Sequence, residues 1–134
     1  MIFLDTNILV YAALNQDPRK HEIAAGIIRD LIDSDAGAIS AQVVNEFTNT
    51  MFKKTRRTAG NIRALNDIFR TMLRLDMTSG LVDSAISLKQ RYDLQYYDAL
   101  IVAAAQCLKC DTIYSEDMAD GCVYGTVRVK NPFK

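Results

Sequence analysis

Ile2-Phe3-Leu4-Asp5-Thr6-Asn7 begins with three consecutive apolar residues and turns polar at an acid. A short continuous apolar run that stops at Asp suits a buried parallel strand with the aspartate at its carboxyl end. Residues 6–14 then carry apolar side chains at 8, 9, 10, 12, 13 and 14, which predicts a helix directly after the strand. Working outward, the same alternation continues. Helical stripes are expected over 21–32, 41–52, 59–75 and 97–108, with Ser79 capping another helix that runs to about Arg91. Short strands are expected at 38–40, 75–78, 112–115 and 126–129. Strands alternating with helices imply an α/β domain around a parallel sheet. No repeat, low-complexity segment or Pro/Gly/Ser linker divides the chain, so 1–134 reads as a single domain.

Composition narrows the chemistry. The chain has 134 residues, 49% hydrophobic and 24% charged, as expected of a soluble globular domain with one core. Lys plus Arg equals Asp plus Glu at 16 each, so no large positive excess is available for a histone-like nucleic-acid binder. An enzyme acting on nucleic acid remains compatible with that balance. His21 is the one histidine, which excludes active sites built on several histidines. It is expected to sit solvated at a helix start. Three cysteines, Cys107, Cys110 and Cys122, make a poor disulfide framework and favour a reducing compartment. Cys107 and Cys110 have CxxC spacing and are expected to share a helix face as structural thiols, with a zinc or redox site as the alternative. The apolar run at 99–105 is far too short for a membrane span, and the amino terminus lacks a signal peptide's basic region. A cytoplasmic protein without membrane contact is the expectation.

In open parallel sheets, sites form outside the carboxyl ends of the strands. Four acids fall where such a site would be. Asp5 ends the first strand, and Asp117 follows the strand at 112–115. Asp98 is in the first turn of the apolar helix, and Glu46 borders the buried stripe of the helix at 41–52. Each has a plainer alternative: Asp5 as a helix cap, Asp98 as a dipole-complementing acid, Glu46 as a half-exposed helix residue, Asp117 as a turn residue. Gathered together they would repel, since two like charges about 5 Å apart cost on the order of 3 kcal/mol at an effective dielectric near 20. A cation relieves that repulsion. An all-oxygen donor set suits Mg²⁺, with Mn²⁺ as a substitute, and that pairing supports metal-assisted phosphodiester hydrolysis.

Several of these segments resemble a known family. Phe3-Leu4-Asp5-Thr6-Asn7, Val44-Asn45-Glu46-Phe47, the run Tyr97-Asp98-Ala99-Leu100-Ile101-Val102, Ser115-Glu116-Asp117-Met118 and Val127-Arg128-Val129-Lys130-Asn131-Pro132-Phe133 together resemble a PIN-domain nuclease, from residue 2 to 133. Size and single-domain form resemble the VapC-type toxins of bacterial and archaeal toxin–antitoxin pairs. The resemblance implies a three-layer α/β/α fold with a central, mostly parallel five-stranded sheet, the strand at 126–129 being the fifth. It implies a Mg²⁺-dependent endoribonuclease that works by in-line attack of a metal-activated water and leaves 5′-phosphate and 3′-hydroxyl ends. Asp5 and Asp98 would be the principal metal ligands, with Glu46 and Asp117 completing the catalytic pocket. Thr6, Asn7 and Ser115 match supporting positions that orient ligands or phosphate, and Asp120 is a loosely matched extra acid. A cognate antitoxin, an RNA substrate and a homodimer are the implied partners.

Charge is distributed unevenly. Residues 1–50 carry a net −4, residues 51–91 a net +6 and residues 92–134 a net −2. Lys53, Lys54, Arg56 and Arg57 follow the helix bearing Glu46 and are expected to contact RNA backbone, the alternative being a solvated helix end. The helices at 41–52 and 59–75 should form a hairpin, and Met51, Phe52, Phe69 and Met72 either receive an antitoxin segment or pack internally. Three other functions compete. A receiver or haloacid-dehalogenase-type phosphatase also gathers acids around Mg²⁺, but Asn7 replaces the second acid of its DxD motif. A non-catalytic RNA- or protein-binding module conflicts with the presence of all four acids. A PIN-fold nuclease in RNA processing or DNA repair, outside toxin–antitoxin systems, keeps the chemistry and changes the context.

Overall fold

The computed structural model describes residues Met1–Lys134. The elements in order are β1 (Ile2–Leu4), α1 (Thr6–Ala13), α2 (Pro18–Ser34), β2 (Gly37–Ser40), α3 (Ala41–Lys54), α4 (Ala59–Phe69), a 3₁₀ turn (Arg70–Met72), β3 (Leu73–Leu75), α5 (Ser79–Tyr92), α6 (Tyr96–Cys107), β4 (Thr112–Tyr114), β5 (Val123–Tyr124) and β6 (Val127–Lys130). Helix starts follow ordinary capping chemistry. Asp5, Asp17, Thr58 and Thr78 each accept a backbone N–H at the head of α1, α2, α4 and α5. Thr78, not Ser79, therefore caps α5.

The strands form one sheet in the order β3-β2-β1-β4-β6-β5. All neighbours run parallel except β5, which pairs antiparallel with β6. The sheet thus has six strands, one more than expected. The addition is a two-residue strand, too short for any alternating pattern, returned by the tight Gly125-Thr126 loop in which Gly125 takes φ 64°. The helix expected through residue 75 ends at Phe69, and β3 lies at 73–75 instead of 75–78. The intervening 3₁₀ turn keeps Met72 buried, so the apolar spacing continues although the α-helix does not.

Strand order reverses after β3. From β1 the chain steps outward through β2 to β3, then crosses back to β4 on the other side of β1. Right-handed crossovers therefore place α1–α4 on one face and α5–α6 on the other, giving three layers. α1 packs on α2 and α3, whereas α5 and α6 pack on each other, with α6 against β4 and β6. In α6 every residue from Ala99 to Ala105 is buried, which explains the unbroken apolar run there. On β2, Gly37 lets the strand pack closely under Met72 and Leu31. A Cβ there would stand 2.7 Å from Met72 Sδ and 3.0 Å from Leu31 Cβ. No helix is long and apolar enough to cross a membrane.

Candidate active site

The reversal of strand order puts a crevice between the carboxyl ends of β1 and β4, where α/β sheets bind ligands. Asp5 follows β1 directly. It is 7% exposed. Its Oδ1 accepts the Thr6 backbone N–H at 2.8 Å, and its Oδ2 accepts the Ser115 hydroxyl at 2.7 Å. Asp5 thus caps α1 with one oxygen and ties the loop after β4 to β1 with the other. Ser115 is itself buried and accepts Met118 N–H at 3.2 Å, which fixes the loop after β4. Burial drives the Asp5 carboxyl up to about 6 from an ordinary 3.8. The two hydrogen bonds oppose this, and the charges of Glu46 and Asp98 add to it.

The other acids come from three further segments. Glu46 lies on α3 and Asp98 in the first turn of α6. Both are raised, first by burial and then by charge, from Asp98 on Glu46 and from Asp117 on Asp98. Asp117 is exposed, and its Oδ2 accepts the Asn7 amide at 3.1 Å. The Asn7 carbonyl oxygen in turn accepts Glu116 N–H at 3.2 Å, so α1 holds the β4 loop through one side chain. Charge links Asp5 with Glu46 and Asp98, Glu46 with Asp98, and Asp98 with Asp117, so Asp98 is the acid that connects the four. None of the four forms an ion pair with the chain's own cations. The side chains do not converge on a point, and no three His, Cys, Asp or Glu side chains are grouped as one metal cage.

Two hydroxyls at this edge are buried without partners: Thr6 Oγ1 and Ser40 Oγ. Ser40 ends β2, the strand beside β1, and sequence reading missed it, although its place at a strand's carboxyl end was a usable signal. Gln42 was missed as well. Its Nε2 donates to Glu46 Oε1 at 2.8 Å and to the Tyr97 carbonyl at 3.1 Å, tying the first turn of α6 to α3. The i,i+4 spacing of Gln42 and Glu46 was the available clue. A cleft of about 390 Å³ between α1 and α3 is lined by two of the four acids, Glu46 and Asp117, together with Thr6, Asn7 and Lys54; Asp5 and Asp98 do not line it.

A family model for the PIN domain matches residues 2–119. The chain belongs to the PIN domain family. Solved structures of similar fold include VapBC2 from Rickettsia felis bound to a DNA fragment from its promoter (TM-score 0.70, 20% identity, 98% of each chain covered). A toxin–antitoxin complex from Klebsiella pneumoniae aligns with a TM-score of 0.65 at 18% identity, again over 98% of each chain. VapC20 from Mycobacterium tuberculosis, a Sarcin-Ricin loop cleaving toxin, aligns at 0.63 and 20% identity over 87% of this chain and 90% of that one. No curated protein sequence matches.

The remaining expected residues divide. Of the four basic residues, Lys54 lines the PIN cleft, while the Arg57 guanidinium donates to the Ala13 carbonyl at 3.1 Å, at the end of α1. Lys53 and Arg56 are exposed and line no cleft with the acids. Asp120 accepts the Asn131 backbone N–H at 2.8 Å and so staples the end of β6 instead of joining the acids. His21 is half-buried, not solvated, its Nδ1 2.9 Å from the Tyr11 carbonyl in the first turns of α2. Met51, Phe69 and Met72 are core residues, and only Phe52 is exposed, at 55%. Their apolar stripe turns inward because α3 and α4 pack as a hairpin, with Phe47 edge-on to Phe69 at 5.0 Å. Cys110 lies beyond α6, after Lys109 at φ 57°, so it shares no helix face with Cys107. Cys107 is exposed, Cys110 buried and Cys122 half-buried.

Proposed function

We propose that this PIN domain is a divalent-metal-dependent endoribonuclease and the toxin of a type II toxin–antitoxin pair. The observation that carries the proposal is the set of four acids, Asp5, Glu46, Asp98 and Asp117, linked to one another through Asp98 and ion-paired with no cation of the chain. The donor chemistry fits magnesium or manganese. All donors are oxygens, and two unpartnered hydroxyls stand at the same edge. The open spacing of the acids fits an ion that keeps several waters and takes only one or two carboxylates. Bound there, the ion supplies positive charge that offsets the carboxylates and acidifies water for attack on a phosphate.

Asp5 and Asp98 would hold the ion. Ser115 and the Thr6 N–H keep Asp5 in one orientation, and Asn7 does the same for Asp117. Glu46 and Asp117 would orient the water and accept its proton. Lys54, across the cleft, would hold the RNA backbone. The toxin reading is supported by the likeness to VapC and toxin–antitoxin folds, and an antitoxin segment would lie along α3 and α4, where Phe52 and Ile68 are exposed. Homodimerisation belongs to the same reading.

The test is RNA cleavage by wild type, Asp5→Ala and Asp98→Ala with Mg²⁺ or with EDTA. Cleavage by wild type with Mg²⁺ alone is expected. Equal cleavage by all three proteins, or cleavage that survives EDTA, would overturn the mechanism. For the toxin role, expression should arrest growth, and co-expression of the protein encoded beside it should restore growth.

A further inference from the structure

A second cleft adjoins Glu46 and does not include Lys54. It measures about 330 Å³ and is lined by Asn45, Glu46, Asn49 and Tyr97. Glu46 is shared with the first cleft, so the two meet at that carboxylate. Tyr97 is 57% exposed, an unusual position for a large aromatic side chain, and immediately precedes Asp98. It is not loose. Its carbonyl is held by Gln42, and its ring stands edge-on to Tyr96 at 5.4 Å between centroids. That leaves a ring face anchored beside the acids and open to solvent.

Asn45 and Asn49 are four residues apart on α3, so they project from one face of the helix toward this cleft. Both are exposed, and neither amide makes a hydrogen bond within the chain, in contrast to Asn7 and Gln42. An amide presents both donors and an acceptor, which is what a nucleobase edge requires. An aromatic face plus free amides is the chemistry that receives an unstacked base.

We propose that Tyr97, Asn45 and Asn49 seat one unpaired nucleobase beside the scissile phosphate, the ring stacking on the base and the amides reading its edge. This rests on the ribonuclease reading and adds to it the residues that select the flanking nucleotide. They are positioning residues. Glu46, shared by the two clefts, marks where the strand passes over the acids.

The test uses an oligoribonucleotide that wild type cuts and two analogues with an abasic residue on either side of the cut. Stacking on an aromatic side chain is worth about 1–3 kcal/mol per base, so Tyr97→Ala should raise KM roughly 5- to 150-fold with little change in kcat. Tyr97→Phe should restore it. On the analogue lacking the seated base, wild type and Tyr97→Ala should have the same KM, because the ring has nothing to stack on. Asn45→Ala and Asn49→Ala should change which nucleotide is preferred at that position. An equal loss on intact and abasic RNA, or a Phe variant as poor as Ala, would overturn the seat and leave a structural role for Tyr97. If wild type cuts no RNA, the ribonuclease reading fails separately. Fluorescence anisotropy with the same labelled oligonucleotides then decides, and unchanged affinity of Tyr97→Ala overturns the seat.

Discussion

Glu116 and Asp117 are adjacent in sequence, yet they belong to two acid clusters governed by opposite electrostatics. Glu116 points to α1 and α2. There Lys20 Nζ stands 2.6 Å from Oε2, and the Tyr11 hydroxyl donates to Oε1 at 2.6 Å. Lys20 also lies over the rings of Tyr11 and Phe133, which meet edge-on at 5.1 Å, and Arg19 donates to the Phe133 carbonyl. Burial pushes the Glu116 carboxyl up, but the bonds from Lys20 and Tyr11 outweigh it and hold the group low. Asp117 instead raises Asp98, Asp98 raises Glu46, both of those raise Asp5, and no ion pair with a cation of the chain answers any of them. The first cluster is complete and anchors the end of the chain. The second has no ion pair with the chain's own cations, and it is the set to which the proposed metal is assigned.

The comparison breaks most readily at Asp5 and Asp98. Asp98→Asn and Asp5→Asn should each lower RNA cleavage by at least about a hundredfold, since each removes a ligand charge at the proposed metal. Glu116→Gln should leave cleavage within a few-fold and lower the melting temperature. A Glu116 variant as inactive as the Asp98 variant would merge the two clusters into one.

The next effect is on stability against pH. The folded Asp5 carboxyl is raised from 3.8 to about 6, so its contribution to stability is complete below pH 3.8 and is lost as pH rises through about 6. Two units correspond to roughly 3 kcal/mol, an upper figure for this group. Glu46 and Asp98 act in the same direction. Glu116 acts in the opposite one, its contribution being lost as pH falls through its lowered folded value. In EDTA the melting temperature should therefore fall between about pH 4 and pH 7. Mg²⁺ should raise it at pH 8 and have little effect at pH 4. Asp5→Asn should raise the metal-free melting temperature at pH 8 while abolishing the response to Mg²⁺. A metal-free wild type whose melting temperature rises steadily from pH 4 to pH 7 would contradict the assignment of Asp5 as a buried, unrelieved acid.

A smaller difference separates the basic residues. Lys54→Ala should weaken RNA binding several-fold and lower the salt slope by about one, as expected for one lost phosphate contact. Lys53→Ala, one position away and outside the cleft, should change neither. Equal slopes for the two variants would mean that the end of α3 contacts RNA only diffusely. The smallest expected effect is that of Lys20→Ala, which leaves Glu116 without its cation. It should lower the melting temperature at pH 7 more than at pH 4, with cleavage unchanged.

Much of the site was legible in the linear order. Asp5 closes an apolar triplet, Asp98 opens an apolar helix, Glu46 borders the buried stripe of the helix after a short strand, and Asp117 follows another strand within three residues. These are local patterns set by burial and capping, and the strand–helix alternation follows from the same periodicities. The sixth strand escaped because two residues carry no period, and β3 slipped because a 3₁₀ turn preserves the apolar spacing of the helix it interrupts. Met51, Phe69 and Met72 could not be sorted from Phe52 in the sequence, since a stripe shows that a face is buried and not which residues at its border escape.

By itself the sequence determined the alternation of elements, the types of residue at their ends and the exclusion of a site built on several histidines. Those follow from side-chain chemistry and spacing along one chain. Only the tertiary structure decided which acids are answered and which are not. Lys20 and Glu116 are 96 positions apart and pair. Asp5 and Ser115 are 110 apart and share a hydrogen bond. Asp117, next to Glu116, remains without a cation. Charge pairing depends on distance in space, and the crossing from β3 back to β4 is what sets those distances.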